Sequence, residues 1–147
     1  MRIATGADRA GFQYKERLRE HLAAEGHEVI DAGVKEEVVC DYPEFAEKAA
    51  RLVANRECEY GILICGSGEG MAIAANKVSG IRCGIGYNDE TAALLRQHND
   101  ANMIAFEARF MTYEEIEKRT EIFLATDFLQ SYHTERVEMI NKLEQKQ

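Results

Sequence analysis

The chain of 147 residues, 46% of them hydrophobic, suits one compact domain able to bury a core. A net charge of -8 and a pI near 5.1 repel phosphodiester backbones, and no basic stripe interleaved with aromatics is present, which excludes nucleic acid as a partner. No apolar run approaches the roughly 20 residues needed to span a bilayer, and Met1 to Gly6 lacks the build of a signal peptide, so a cytoplasmic protein with no membrane partner is expected.

Short β-rich runs alternate with helical patterns. The run "RIATG" is followed by Tyr14, Leu18 and Leu22 at four-residue spacing, then by "HEVIDAG" and by Phe45, Ala49 and Val53 on one helix face. The rhythm continues through "YGILIC", the helix "GMAIAANK", "RCGIGY", a helix from about Asp89, "NMIAFE", and helical segments from Thr112 and around His133 to the end. Asp41 with Glu44 and Thr112 with Glu115 are each placed to cap a first turn, Pro43 sits where a missing N–H costs little, and Gly26 supplies a helix stop. "GILIC" is apolar without alternation, as a parallel strand covered on both faces should be. The expected fold is a single three-layer α/β/α, Rossmann-like domain over residues 1–147, with a five-stranded parallel sheet and its chemistry at the carboxyl ends of the strands.

Cys65 ends a predicted strand, and Gly66-Ser67-Gly68-Glu69-Gly70 leads into a predicted helix. Unpaired amides and the dipole at a helix N-terminus favour an anion, whether a bound oxyanion or a thiolate. A small buried cysteine before an ordinary tight turn fits equally well. The loop is neither a Walker A sequence nor a complete dinucleotide fingerprint, so no nucleotide cofactor is expected. Asp8 and Arg9 follow the first strand, where Asp8 reads as a cap or a site residue. His98 and Asn99 end a helix, where His98 reads as a solvated histidine or as an acid/base titrating near neutrality. Cys40, Cys58, Cys65 and Cys83 form no CxxC pair and read as free thiols; His21, His27, His98 and His133 show no metal-ligand spacing, so no metal is expected.

"DRAG", "DYP", "CGSGEGMAIAANK", "GIRC", "HNDAN" and "HTERV" occur in the order found in the ribose-5-phosphate isomerase B family, which also contains the galactose-6-phosphate isomerase subunits; the chain resembles that family over nearly its whole length. The resemblance implies a metal-independent, cofactor-free aldose–ketose isomerase, an intramolecular oxidoreductase acting through a cis-enediolate. By matching position, Cys65 would be the base at C2, and Ser67 with the amides of Gly66, Gly68 and Gly70 would hold the enediolate oxygen. His98 would open the furanose ring, Tyr42 would support it, Asp8 would position a sugar hydroxyl and Asn99 would donate to the intermediate. Phosphate would fall to Arg9, Arg109, Tyr132, His133 and Arg136. The resemblance further implies a homodimer or dimer of dimers with shared sites, His98, Asn99 and Arg109 coming from the neighbour and the C-terminal helix packing on it.

The chain departs from the family pattern at Arg9, usually histidine, at Tyr132, usually arginine, and at Glu69 and Glu107. Ribose 5-phosphate and ribulose 5-phosphate are the expected pair. Allose 6-phosphate or galactose 6-phosphate, or a non-catalytic sugar-phosphate-binding subunit, are the alternatives. Glu69 is expected to oppose a Cys65 thiolate.

Overall fold

The computed structural model describes residues 1–146. The expected strands and helices are present in the expected order: β1 (Arg2–Ala7), α1 (Phe12–Ala24), β2 (Glu28–Asp31), α2 (Tyr42–Ala54), β3 (Tyr60–Cys65), α3 (Glu69–Asn76), β4 (Cys83–Ile85), α4 (Asp89–Asn99), β5 (Met103–Glu107), α5 (Tyr113–Ala125) and α6 (His133–Leu143), closed by a short 3-10 turn, Glu144–Lys146. All strand pairs are parallel, and the sheet order is β2-β1-β3-β5-β4. The chain reverses its direction of travel across the sheet between β1 and β3, and there the loops after two adjacent strands diverge to opposite faces and leave a crevice.

Alternation along the strands divides the core in two. Ile3, Ile62, Ile64, Ile104 and Phe106 face α1, α4 and α5, together with Leu18, Ala92, Ile116 and Phe123. Ala4, Leu63, Cys65, Met103 and Ala105 face α2 and α3, together with Ala46, Ala49, Ala50, Met71 and Ala75. The small residues of the second layer let α2 and α3 lie close to the sheet and carry the loop after β3 directly over its carboxyl edge. Cys65 therefore points from the end of a buried strand into the α2/α3 layer.

The helix signals are met unevenly. Thr112 and Glu115 form the expected reciprocal cap, with Glu115 N–H donating to Thr112 Oγ1 at 3.2 Å and Thr112 N–H donating to Glu115 Oε2 at 2.8 Å. Gly26 takes the left-handed conformation expected of a stop. Asp41 precedes α2 as expected, but its side chain makes no capping bond, and its carbonyl accepts from Glu44 N–H instead. A further reciprocal cap, Asn88 with Thr91, starts α4 and was not marked in the sequence.

One buried ion pair holds the crevice wall. Lys15 has no exposure, and its Nζ donates to Asp31 Oδ1 at 2.9 Å, to Asp31 Oδ2 at 3.0 Å and to the Val34 carbonyl at 2.8 Å. Asp31 also accepts from Gly33 N–H and Lys35. This cluster ties the end of β2 to α1 and fixes the start of the segment that runs through Cys40 to Tyr42. Burial opposes ionisation of Asp31, but the bonds from Lys15, Gly33 and Lys35 outweigh it and hold the carboxyl below its ordinary range. A carboxyl with a lowered folded pKa adds stability above its unfolded value, and that contribution is lost as pH falls through the folded value. Lys15→Met, which strands a buried carboxylate, is expected to cost about 3 kcal/mol in urea unfolding at pH 7, with the gap to wild type narrowing at pH 3. A variant as stable as wild type at pH 7 would contradict this role for the pair.

Candidate active site

The loop after β3 turns sharply at Gly68, whose φ of 75° is the left-handed region that an L side chain resists. An added Cβ there would also stand 3.1 Å from the Phe106 carbonyl oxygen. The turn aims Gly68 N–H back at the sulfur, donating to Cys65 Sγ at 3.1 Å, and the amides of Met71 and Ser67 act on the same sulfur. The thiol thus faces a cluster of amides at the N-terminus of α3, as the sequence suggested. Its protonation differs from the expectation of a favoured thiolate. Burial is the largest influence and pushes the thiol up, the amides of Met71 and Gly68 pull it down, and the Asp8 carboxylate pushes it up again, for a net rise above the ordinary value of 9.0. The carboxylate that opposes ionisation is Asp8; Glu69 is exposed at the start of α3 and does not figure among these influences.

Several predicted residues gather around this thiol. Tyr42, at the start of α2, lays its ring over α3: a Cβ at Gly70 would stand 2.5 Å from Tyr42 Cε1 and 2.6 Å from its hydroxyl oxygen. Asp8 Oδ1 accepts from Gly11 N–H at 2.9 Å just ahead of α1, and Asp8 lines a pocket of about 400 Å³ with Arg9, Glu37, Cys40 and Arg109. Cys40 is the wall residue that sequence reasoning passed over, because an isolated cysteine in a polar loop carries no spacing signal.

Arg109 packs on the glycine loop of its own chain. β5 pairs directly with β3, Cys65 opposite Glu107, and the chain beyond continues the pairing: Ala108 N–H donates to the Cys65 carbonyl at 2.8 Å and Arg109 N–H to the Gly66 carbonyl at 3.1 Å. The Arg109 guanidinium consequently lies against the glycine loop of its own chain, its Cζ 3.2 Å from where a Cβ on Gly66 would be. Glu107, in the position beside Cys65, runs its Cγ to 3.3 Å from a Cβ built on Gly68.

The remaining predicted residues form a second group. α4 leaves the carboxyl edge after β4 and runs back along the sheet, so its end, with His98 and Asn99, lies near the amino edge where β5 begins at Met103. His98 and Asn99 end a helix, as the sequence indicated, and so do not share the carboxyl edge with Cys65. A helix of 11 residues is about 16 Å long, and Cys65 and His98 sit at opposite edges of one sheet. With His98 stand Tyr132, His133 and Arg136 at the start of α6. The His98 and His133 rings stack at 4.3 Å between centroids and 14° between planes, Tyr132 lies 4.2 Å from His133 on centroids, and the Arg136 guanidinium lies 4.8 Å from the Tyr132 ring centroid. Burial, His98 and Arg136 together hold the His133 imidazole below its ordinary range.

The turn after His98 is itself braced. Asp100 takes a left-handed backbone and accepts from Arg96 Nη1 at 2.9 Å, while Arg82 donates to the Asn99 carbonyl at 2.9 Å and to the Asp100 carbonyl at 2.7 Å. A cavity of about 580 Å³ lies behind this turn, between Arg56, Arg82, Arg96 and Asp100. Arg82 and Arg96 are taken up in holding the turn, and Cys65 is at the other edge of the sheet, on the side of the smaller pocket lined by Asp8 and Arg109. Among the described residues, His21, Glu25 and Glu121 place ligand-type atoms within 4.8 Å of one another on α1 and α5. His21 Nε2 already meets Glu121 Oε1 at 2.6 Å and its Nδ1 meets Glu117 Oε1 at 3.2 Å, an exposed ion network between two helices rather than part of the thiol site. Among the described residues, no helix is long and apolar enough to cross a membrane.

Residues 3–140 match the family model described as Ribose/Galactose Isomerase. Over 145 residues the chain is 41% identical to ribose-5-phosphate isomerase B of Escherichia coli strain K12, covering 99% of this chain and 97% of that one. The structure superposes on Clostridium thermocellum ribose-5-phosphate isomerase B with a TM-score of 0.97 at 38% identity, covering 99% of each chain. It also superposes on the Mycoplasma genitalium ribose-5-phosphate isomerase B with bound ribulose-5-phosphate, with a TM-score of 0.94 at 35% identity, covering 99% of this chain and 97% of that one. The chain belongs to the ribose/galactose isomerase family and is an isomerase.

Proposed function

We propose that the protein interconverts ribose 5-phosphate and ribulose 5-phosphate in the cytoplasm, with Cys65 as the base that moves a proton between C2 and C1. The observation that carries this reading is the sulfur under a set of convergent amides at a helix N-terminus. Abstraction of the C2 proton makes a cis-enediolate, and charge develops on the oxygens of C1 and C2. The Ser67 hydroxyl and the amides of Gly66, Gly68 and Gly70 supply donors to an oxygen there, and they are fixed by the turn before the reaction begins. The raised thiol makes the thiolate scarcer but a stronger base, which suits a weakly acidic C–H. Tyr42 covers the site above α3, and Asp8 takes a sugar hydroxyl. Arg9 and Arg109, both on the pocket wall, hold the phosphate. Four cysteines without a disulfide suit a reducing compartment.

The reaction also needs ring opening, since the aldose is a furanose. His98, an imidazole able both to accept and to give a proton, is assigned that transfer, with Asn99 beside it to donate to the intermediate. In one chain these residues lie at the edge of the sheet opposite Cys65, so a complete site requires His98 and Asn99 of a second chain beside Cys65 of the first. Met139, Ile140 and Leu143 on α6 and Ile73 on α3 are exposed apolar side chains that suit burial in such a homodimer, or a dimer of dimers. Arg136, exposed at the start of α6, would arrive with the same segment and add a cation toward the phosphate.

Two measurements test this. Cys65→Ser and His98→Asn are each expected to lose turnover of ribose 5-phosphate by about three orders of magnitude or more, a hydroxyl being a far weaker base than a thiolate. Mixed under subunit exchange, the two inactive variants should recover activity, because one site of each mixed dimer keeps both groups; no recovery despite demonstrated exchange would confine the site to one chain. The second measurement concerns the thiol itself. A raised thiol means that alkylation of Cys65 by iodoacetamide should still be accelerating at pH 9. Asp8→Asn keeps the acceptor for Gly11 N–H, removes the opposing charge and should speed alkylation at pH 8 several-fold. An unchanged rate, read on the Cys65 peptide, would count against the Asp8 influence.

A further inference from the structure

We propose that His133 is a positioning residue for His98, clamped between the His98 ring and the Tyr132 ring, rather than a ligand of the phosphate. This rests on the functional reading above, in which His98 opens the sugar ring. His98 is at the last turn of α4, a place where a side chain ordinarily has free rotation, and no hydrogen bond to its ring is formed among the described residues. Its orientation is set instead by the face of His133, a close stack parallel within 14° at a centroid distance of 4.3 Å.

His133 is in turn held by burial and by Tyr132. It is buried at the start of α6, at 7% exposure, so its ring does not swing. Tyr132 lies against it at 4.2 Å, and Arg136 lies over Tyr132 at 4.8 Å, one turn further along the same helix. The order of the stack is His98, His133, Tyr132, Arg136, which leaves the His98 side open to a sugar and puts Arg136 at the far end.

This arrangement gives Tyr132 a purpose that its sequence position hides. An aromatic ring next to His133 completes the clamp, where a guanidinium would make a phosphate contact. The charged and titratable groups facing His133 are His98 from α4 and Arg136 from α6, both cationic or able to become so, and both disfavour a proton on His133. A neutral His133 lets His98 carry the proton for ring opening without a second positive charge against its face.

The chemistry supplies a test that separates positioning from binding. Ribulose 5-phosphate has its O5 blocked by phosphate and no hydroxyl placed to close a five-membered ring on C2, so it is open-chain and needs no ring opening. Ribose 5-phosphate closes through O4 and must be opened. His133→Ala should lower kcat for ribose 5-phosphate at least tenfold while moving its KM less than twofold. The same variant should keep solvent deuterium exchange into C1 of ribulose 5-phosphate within about threefold of wild type, because exchange needs only the thiolate. His133→Phe, which restores a stacking face without a titrating nitrogen, should recover at least a third of the wild-type kcat. A tenfold rise in KM with kcat kept, no recovery in His133→Phe, or exchange that falls in step with turnover would overturn the assignment. A wild-type chain that neither turns over nor exchanges these sugars would sink the functional reading and this one with it, whereas an active wild type with a failed Ala/Phe contrast overturns only the role of His133.

Discussion

Parallel strands put every carboxyl end at one edge of the sheet, and each connecting helix must then return to the other edge. From this single constraint the layout of the site follows. Cys65, the last residue of β3, is delivered to the carboxyl edge together with the loops after β1 and β5, which bring Asp8, Arg9, Glu107 and Arg109. His98 and Asn99 close a helix that has already travelled back, so they are delivered to the amino edge. In the proposed mechanism the two halves of the chemistry lie apart in one chain, which would make association a condition of catalysis.

At the carboxyl edge the decisive contest is between burial and hydrogen bonding at one sulfur. A thiolate inside the α2/α3 layer is opposed by loss of water and by the Asp8 charge, and is favoured by the amides that the left-handed turn at Gly68 converges on it. Burial wins in the free chain. The consequence is a thiol that is reluctant to ionise; in the proposed reaction it would be a strong base once ionised, with the amide set placed for the charge that moves on to the substrate oxygen. The glycines serve this geometry in two ways: a backbone turn at Gly68 and room for the Tyr42 ring at Gly70.

The strand runs and their alternation with helices were plain in the sequence, because a buried parallel strand is an uninterrupted apolar segment and its ends are marked by glycine and by caps such as Thr112 with Glu115. The thiol, the glycine loop and Asp8 could be placed for the same reason: each follows a strand, and strand ends determine where side chains go. What could not be placed depended on neighbours distant in the chain. The pairing of β5 between β3 and β4 has no local signal, and it is this pairing that brings Arg109 to Gly66 of its own chain. Lys15 falls in a charged stretch of α1, and only the position of Asp31 makes it a buried residue. The stack of His133 on His98 joins the starts and ends of two helices 35 positions apart in sequence order, and the motif reading, which knew both residues, assigned one of them to phosphate.

The most direct test of the account is a crystal structure of the Cys65→Ser variant with ribose 5-phosphate bound. The account predicts a single sugar phosphate in contact with position 65, Arg9 and Arg109 of one chain and with His98 and Asn99 of a second. A sugar held wholly by one chain, with no His98 within hydrogen-bond reach of its ring oxygen, would contradict it.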